Sequence, residues 1–261
     1  MNDYIFKDNQ TDLELRRLQR IEHALDPRTC RILGTTGISP KWRCLEVGAG
    51  SGSIMQWLGA RVGSDGEVVG VDKQIKYLSH LSKPPYRIFE FESDALKFSD
   101  SEGFDLIHAR YVLIHNRNST DILAHLKGLL RPGGHLVLEE PDFEAAEWID
   151  SEYRGAGQRV NKAIVAMFSS LSLDPGFGSR LPLAISRQGL VVRLVEAISH
   201  LEPGSGPVAM VMADSAAALR DKYIATGEAT DGDITQYIRG ARDPSSWATY
   251  YSTISVVACH G

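Results

Sequence analysis

Three alternating glycines and two later aspartates are the residues of this chain best suited to chemistry. Gly48, Gly50 and Gly52 lie in CLEVGAGSGSI, between an apolar run and a helix-like pattern. Glycine lets the backbone approach a ligand where any side chain would collide. Dinucleotide sites share such a turn, with the fingerprint GxGxxG. Here the spacing is GxGxG, and Ser53 stands where that fingerprint has its last glycine, the one that allows close helix packing over a pyrophosphate. Asp72 ends the run VVGVD, where a carboxylate can accept hydrogen bonds from both hydroxyls of a ribose. Asp94 ends the next run, in FESDAL, where it can accept from an exocyclic adenine amine while the Ala95 amide donates to the ring. Either acid alone reads as a solvated strand end. Both, in this order after a glycine turn, point to a bound nucleoside, and the spacing counts against a dinucleotide.

Such residues need strands that end where they sit. Thr11-Asp-Leu-Glu14 has the capping-box pattern, and Leu18, Ile21 and Leu25 follow at helical spacing. Asp26-Pro27 predicts a cap and first-turn proline of a second helix, which Gly34 ends. From Arg43 the texture changes. RCLEV, EVVGVD, YRIFEFESD, FDLIHARYVLI and HLVLEEPDF read as strands, the last after the turn Arg131-Pro-Gly-Gly134. SIMQWLGARV, KQIKYLSHL and STDILAHLKGLL read as the helices between them. This alternation predicts a mostly parallel sheet with helices on both faces.

From about Glu144 to Leu173 the rhythm breaks into a long helical stretch, with Val160, Ile164, Met167, Phe168 and Leu171 at spacings of three and four. A loop, LDPGFGSRLP, and a short helix ending at Gly189 follow, and then the strands LVVRLVEAISHL and YYSTISVVACHG. The insertion fits a lid over the ligand edge of the sheet and equally a plain crossover helix.

On LEVGAGSGS, the acids Asp72 and Asp94, FDLIHARYVLIH and LLRPGGHLVLEE, the chain resembles the class I S-adenosylmethionine-dependent methyltransferases. The resemblance covers nearly the whole chain and is strongest from Leu45 to Glu140. It is closest to the small-molecule branch related to quinone-biosynthesis and natural-product enzymes, with a leading helix like LELRRLQRIEHALDP and a terminal antiparallel strand like YYSTISVVACHG. It implies an α/β, Rossmann-like three-layer sandwich with a seven-stranded mixed sheet: an N-terminal helical cap over 1–38 and a core over 39–261, with a helical lid insertion at about 144–182. It implies S-adenosylmethionine as cofactor and methyl transfer to O, N or C of a small apolar or aromatic acceptor. The donor would be held by Glu46, Gly48, Ala49, Gly50, Asp72, Lys73, Asp94, Ala95 and the Arg110 backbone, with Tyr4 and Arg17 from the leading segment.

Methyl transfer is an in-line displacement on an already activated electrophile, so alignment alone can supply about 7–11 kcal/mol. A general base adds roughly 10²–10⁴-fold where the acceptor must lose a proton. The candidates are His115, Glu140 and His200. His115 fits a structural hydrogen bond as well, His200 a solvated loop, and His108 a satisfied core histidine. Tyr4, Phe143, Trp148, Tyr153, Phe168, Phe177, Trp247, Tyr250 and Tyr251 are aromatic acceptor candidates, each equally suited to the core. Lys83-Pro-Pro-Tyr86 resembles the (N/D)PPY motif of amino-methylating DNA enzymes, but it begins with lysine and precedes the third strand, so it reads as a turn.

A net charge of −5 and a pI near 5.9 give no electrostatic footprint for nucleic acid or an anionic membrane. Cys30, Cys44 and Cys259 have neither disulfide nor zinc spacing and read as reduced thiols; no metal is expected. The amino terminus lacks a signal-peptide pattern and no apolar run reaches membrane-spanning length, which predicts a cytoplasmic protein. The arginine-bearing first helix is placed to cap its own site or to exchange with a neighbour, so a homo-oligomer stays open. Two other functions stay open too: a nucleoside-binding module without transfer, and a nicotinamide oxidoreductase.

Overall fold

A computed structural model describes residues 11–78, 87–149 and 152–261. Its sheet contains β1 (Arg43–Val47), β2 (Glu67–Asp72), β3 (Arg87–Glu92), β4 (Phe104–Arg110), β5 (Leu130–Asp142), β6 (Glu147–Trp148), β7 (Val191–Pro203) and β8 (Trp247–Cys259). The order is β3-β2-β1-β4-β5-β8, with β1 to β5 parallel, β8 antiparallel to β5, and β7 antiparallel on the far side of β8. Among the described residues eight strands stand where seven were expected. The addition is β6, which resumes the pairing with β8 after a 3-10 turn, Phe143–Ala145, interrupts β5.

Side-chain alternation along these strands builds two cores. Cys44, Val68, Leu106 and Val137 face α1 (Thr11–Gly34) and α2 (Ser53–Val62), packing with Ile32, Leu33, Met55 and Leu58. Leu45, Val69, Ile107, Leu136 and Leu138 face the other way, toward α3 (Ser119–Gly128), α4 (Arg154–Ser170) and α5 (Phe177–Arg187). The result is a three-layer α/β fold. Cys30, Cys44 and Cys259 are free thiols, and burial pushes that of Cys30 up to about 11. No helix among the described residues is long and apolar enough to cross a membrane, and no cluster there could hold a metal.

Several expected boundaries are corrected. Pro27 does not start a second helix; α1 runs unbroken through it. An interior proline costs about 3 kcal/mol or more. Burial of Leu25, Ile32 and Leu33 on either side, each worth about 1.5–3 kcal/mol, outweighs that. Asp26 binds Arg110 instead of capping. Helix α5 starts inside the expected loop, at Phe177. The described part of KQIKYLSHL is one 3-10 turn, Ile75–Leu78. A second helical segment was not foreseen: α6 (Pro207–Ala218), α7 (Arg220–Ile224) and α8 (Asp231–Arg242) lie between β7 and β8. Lys83-Pro-Pro-Tyr86 and Tyr4 lie outside the described residues.

The end of the sheet opposite the ligand edge is fixed by charge. Arg43 grips Asp100 with two bonds, at 2.6 and 2.7 Å, and Glu67 with a third at 2.6 Å. The Arg43 guanidinium and nearby amides hold Asp100 at about 2. A carboxylate lowered in the folded state stabilises above its unfolded pKa, and the gain is lost as pH falls through the folded value. Asp100→Asn should therefore cost on the order of 2 kcal/mol at pH 7. In urea melts at several pH values, the deficit should close as pH falls from about 4 toward 2.

Candidate active site

The glycine turn leaves β1 with three alternating left-handed glycines, Gly48 (φ 70°), Gly50 (φ 57°) and Gly52 (φ 90°), before α2 begins. A Cβ at Gly48 would overlap Val112 Cγ2, so that glycine serves the protein's own packing. A Cβ at Gly50 would meet Leu18 and Glu22 of α1 at 3.9 Å, ordinary van der Waals contact, so this glycine is required by its left-handed backbone and lies at the edge of the space between turn and helix. That space is a cleft of about 200 Å³ at the C-terminal ends of β1, β2 and β4, walled by Glu46, Gly48, Ala49, Gly50, Asp72, Lys73, Ala95 and Arg110. The front half of α1 roofs it with Glu14, Arg17, Leu18, Ile21 and Glu22. Glu22 holds roof to floor by accepting from the Ser51 amide, at 3.2 Å, and from the Ser51 hydroxyl, at 2.5 Å.

Asp72 accepts from the Gly50 amide through Oδ2 at 3.1 Å and from the Gln74 amide through Oδ1 at 2.9 Å. Burial raises it more than those amides lower it. Two oxygens can accept four bonds, so beyond the backbone amides the carboxylate retains acceptor capacity, and Asp72 lines the cleft. Asp94 differs from expectation. Its neighbours Ser93 and Ala95 line the cleft, but Asp94 does not; its carboxylate accepts from the Leu96 amide and pairs with Lys73 Nζ at 3.1 Å. Lys73 Nζ also lies 3.4 Å from Asn116 Oδ1, spanning the cleft from the β2 end to the segment after β4.

Under the rear half of α1 runs a buried ionic ladder. His108, fully buried, sits between two carboxylates: Glu46 Oε2 is 2.7 Å from Nδ1, and Glu139 Oε1 is 3.9 Å from Nε2. Register makes this possible, since β1, β4 and β5 are adjacent and Glu46 pairs directly with His108. Arg110 continues the ladder into α1, donating to Thr29 Oγ1 at 2.7 Å and Asp26 Oδ1 at 2.9 Å. Burial opposes a charged imidazole, but Glu46 and Glu139 together outweigh it and hold His108 at about 9. His108 is thus the hydrogen-bonded core histidine expected, and the carboxylates on either side favour its charged form.

A second cavity of about 60 Å³ adjoins the cleft and shares Arg17, Ile21, Tyr111 and His115 with it. Its other walls come from Pro141 and Phe143, from Ile164 and Phe168 of α4, from Val211, Met212 and Ser215 of α6, and from Leu219, Tyr223 and Tyr251. Of the aromatic candidates, only Phe143, Phe168 and Tyr251 reach it. Trp148, Tyr153 and Tyr250 form a separate core cluster with Tyr237, Phe177 is buried in the core, and Trp247 is exposed.

The three base candidates separate. His115 lies where cleft and cavity meet; burial, aided by Arg17, lowers it to about 3, so its imidazole is neutral at pH 7. Glu140 touches neither space. It is fully buried, and its oxygens accept from the amides of Val112, Leu113 and Ile114 at 3.1, 2.8 and 3.0 Å, so it fixes the 3-10 turn Leu113–His115 and is no base. His200 is likewise displaced. Its Nε2 meets Thr253 Oγ1 at 2.6 Å, and Thr253 in turn meets the Tyr111 hydroxyl at 2.5 Å. Arg17 binds Glu14 through Nε at 2.9 Å and Nη2 at 2.6 Å, on the wall between the two spaces. Sequence reasoning missed Glu22, Asn116, Tyr111 and Tyr223. Tyr111 had a readable position, directly after β4, but its left-handed backbone (φ 57°) did not show in the sequence.

A family model described as a methyltransferase domain matches residues 15–174, well over half of the chain. The chain belongs to this methyltransferase-domain family. Methyltransferase str3 of Strobilurus tenacellus is 28% identical over 176 residues, covering 66% of this chain and 61% of the relative. The chain thus spans about three fifths of that relative's length. Among solved structures, the phosphoethanolamine N-methyltransferase 2 of Haemonchus contortus in complex with S-adenosyl-L-methionine aligns with a TM-score of 0.62 at 15% identity, over 99% of this methyltransferase chain and 59% of its own. The cyclopropane synthase MmaA2 from Mycobacterium tuberculosis aligns at 0.58 and 16%, over 91% and 85%. At such identities the structural likeness shows the fold, which is Rossmann-like.

Proposed function

We propose that this methyltransferase carries a methyl group from S-adenosylmethionine to a small organic acceptor, with the donor in the cleft and the acceptor in the adjoining cavity. One observation carries the reading: a left-handed glycine turn and a carboxylate with spare acceptor capacity share one cleft, and a second space shares four of that cleft's wall residues. The chemistry of the walls fits the donor. Glu14, Glu22, Glu46 and Asp72 face it against Arg17, Lys73 and Arg110, a balance that suits a sulfonium better than a pyrophosphate. Ser53, where a dinucleotide site needs glycine, lines the same cleft.

When bound, the donor supplies a methyl on positively charged sulfur; the acceptor's lone pair forms the new bond as the carbon–sulfur pair returns to sulfur. The residues of the chain do the rest. Asp72 binds the ribose, the Gly48–Gly50 backbone and Ala95 shape the cleft, and Glu46 and Arg110 brace its floor. Lys73 and Asp94 close the adenine end as a pair. The roof of α1 keeps water out, and neutral His115 at the junction orients an O–H or N–H acceptor by accepting its hydrogen bond; held at about 3, it is too weak a base to keep the proton.

Calorimetric titration with S-adenosylhomocysteine tests this. The unaltered chain should bind with micromolar affinity. Asp72→Ala should weaken binding roughly tenfold to a hundredfold, the worth of hydrogen bonds to a charged group. Failure of the unaltered chain to bind, or tight binding of reduced nicotinamide cofactor instead, would overturn the reading. Binding without transfer to any of a broad panel of acceptors would leave a nucleoside-binding module.

A further inference from the structure

A row of hydrogen bonds leaves the junction of the two spaces and ends at the edge of the sheet. Arg17, Ile21, Tyr111 and His115 line both spaces. Of these, Tyr111 continues away from the junction. Its hydroxyl meets Thr253 Oγ1 of β8 at 2.5 Å, and Thr253 Oγ1 meets His200 Nε2 of β7 at 2.6 Å. Each link can form with either atom as donor, and that reversibility is what passing a proton along a row requires. Thr253 is buried, whereas His200, on the edge strand β7, is partly exposed. Two features hold the row in place. The Tyr251 ring lies 4.7 Å from the His200 ring and edge-on to Tyr111 at 6.0 Å, so one side chain braces both ends. Tyr111 also has a left-handed backbone (φ 57°), held from both sides: its amide donates to the Glu139 carbonyl at 2.8 Å, and the next three amides are those bound by Glu140. Such strain persists only where the surroundings over-determine it, and it clusters at working sites.

We propose that Tyr111, Thr253 and His200 form the proton exit of the junction, carrying the hydrogen lost by an O–H acceptor to the β7 edge. The proposal rests on the methyl-transfer reading above, and it adds the route of the proton. An acceptor hydroxyl that gains the methyl becomes an oxonium, a far stronger acid than an imidazolium. Its O–H bond breaks toward the Tyr111 oxygen. Tyr111 passes its own proton to Thr253 Oγ1, Thr253 passes its proton to His200 Nε2, and His200 releases one from Nδ1 to water. One proton leaves, and all three side chains end neutral. No member of the row has to be ionised beforehand. Burial raises the Tyr111 hydroxyl, which stays protonated, and burial with the charge of Arg28 on α1 lowers His200 to about 4. An imidazole so held hands on the proton it receives and stays ready for the next.

The test is hydroxyl exchange rather than turnover. Protein with isotope-labelled tyrosine Cζ carbons, saturated with S-adenosylhomocysteine, is measured by NMR in equal parts of light and heavy water. There a Cζ line is split when its hydroxyl exchanges slowly and merged when it exchanges fast. The Tyr111 line is the one that Tyr111→Phe removes. The unaltered chain should give a merged line. Thr253→Val, close in shape but without the hydroxyl, and His200→Phe, which removes the outlet alone, should each slow exchange roughly tenfold or more, because the Tyr111 hydroxyl must then wait for local opening. Thr253→Ser should restore the fast rate. Neither Thr253 nor His200 lines the cleft, so S-adenosylhomocysteine affinity should be unchanged, which also shows that the variants are folded. A split line in the unaltered chain, an unchanged rate in Thr253→Val or in His200→Phe, or slow exchange in Thr253→Ser would each overturn the proposal. A bond of purely structural value would leave the His200→Phe rate alone. Should S-adenosylhomocysteine itself fail to bind, the donor reading falls, and the same series on the unloaded chain still decides the route.

Discussion

Glu140→Ala should lower the unfolding free energy by roughly 3–5 kcal/mol. The carboxylate is the acceptor for three successive backbone amides, those of Val112, Leu113 and Ile114, and it has no contact with solvent. Leaving a buried donor unsatisfied costs about 1–3 kcal/mol each, and water entering the space would recover part of that. Glu140→Gln discriminates the cause. Its amide oxygen keeps one acceptor, but its NH₂ faces a backbone donor, so the loss should be intermediate. Urea unfolding of the three proteins measures this. The damage is also local. The 3-10 turn fixed by Glu140 carries His115 and precedes Asn116, so donor affinity and acceptor binding should fall together in Glu140→Ala. Equal stability of Glu140→Ala and the unaltered chain would show that the turn holds itself.

His108→Leu is the second large effect, again roughly 3–5 kcal/mol at pH 7. The substitution leaves Glu46 and Glu139 facing each other without the cation between them. Burial, with Asp26, pushes Glu46 up by more than His108 and Arg110 pull it down, whereas His108, Arg110 and Arg28 pull Glu139 down against its own burial. His108 also gives the unaltered chain a distinct pH dependence. Its folded pKa of about 9 lies above the ordinary 6.5. A group raised in the folded state stabilises fully below its unfolded pKa, and that contribution is lost as pH rises through the folded value. Stability should thus fall by on the order of 3 kcal/mol between pH 6.5 and pH 9.5. His108→Leu should lose that decline and instead gain stability on acidification, as the stranded carboxylates take up protons. A flat profile in the unaltered chain would mean the histidine is neutral.

What the sequence made legible follows a physical pattern. The strands of the sheet centre were readable because each carries a near-continuous apolar run ended by a turn; EVVGVD and SIMQWLGARV match β2 and α2 residue for residue. The glycine turn and Asp72 were readable because glycine and a strand-end acid have narrow uses. Helix α6 was not. Its sequence, PVAMVMADSAAA, is apolar but for Asp214 and Ser215 and gives no polar face to set against an apolar stripe, the pattern of a helix packed nearly all round. Pro27 misled because local propensity is a weak prior against the burial on either side of it. Glu140 and His200 misled for a different reason. Both sit on strands of the site, but which way a polar side chain turns depends on a partner distant in sequence: the amides after β4 for one, Thr253 of β8 for the other. Asp94 was displaced by Lys73 in the same way.

The cleft has a helix for one wall, and that helix is anchored unevenly. The rear of α1 is bolted to the sheet by Arg110, while its front, ahead of Pro27, meets the glycine turn through Glu22 and Ser51 and meets α6 through Arg20 and Asp214. Any occupant that fills the gap in front of Gly50 adds new contacts along that front alone. Its binding energy therefore adds to the hold on a helix already docked, and the amino-terminal turns of α1 should be sturdier in the loaded protein than in the empty chain.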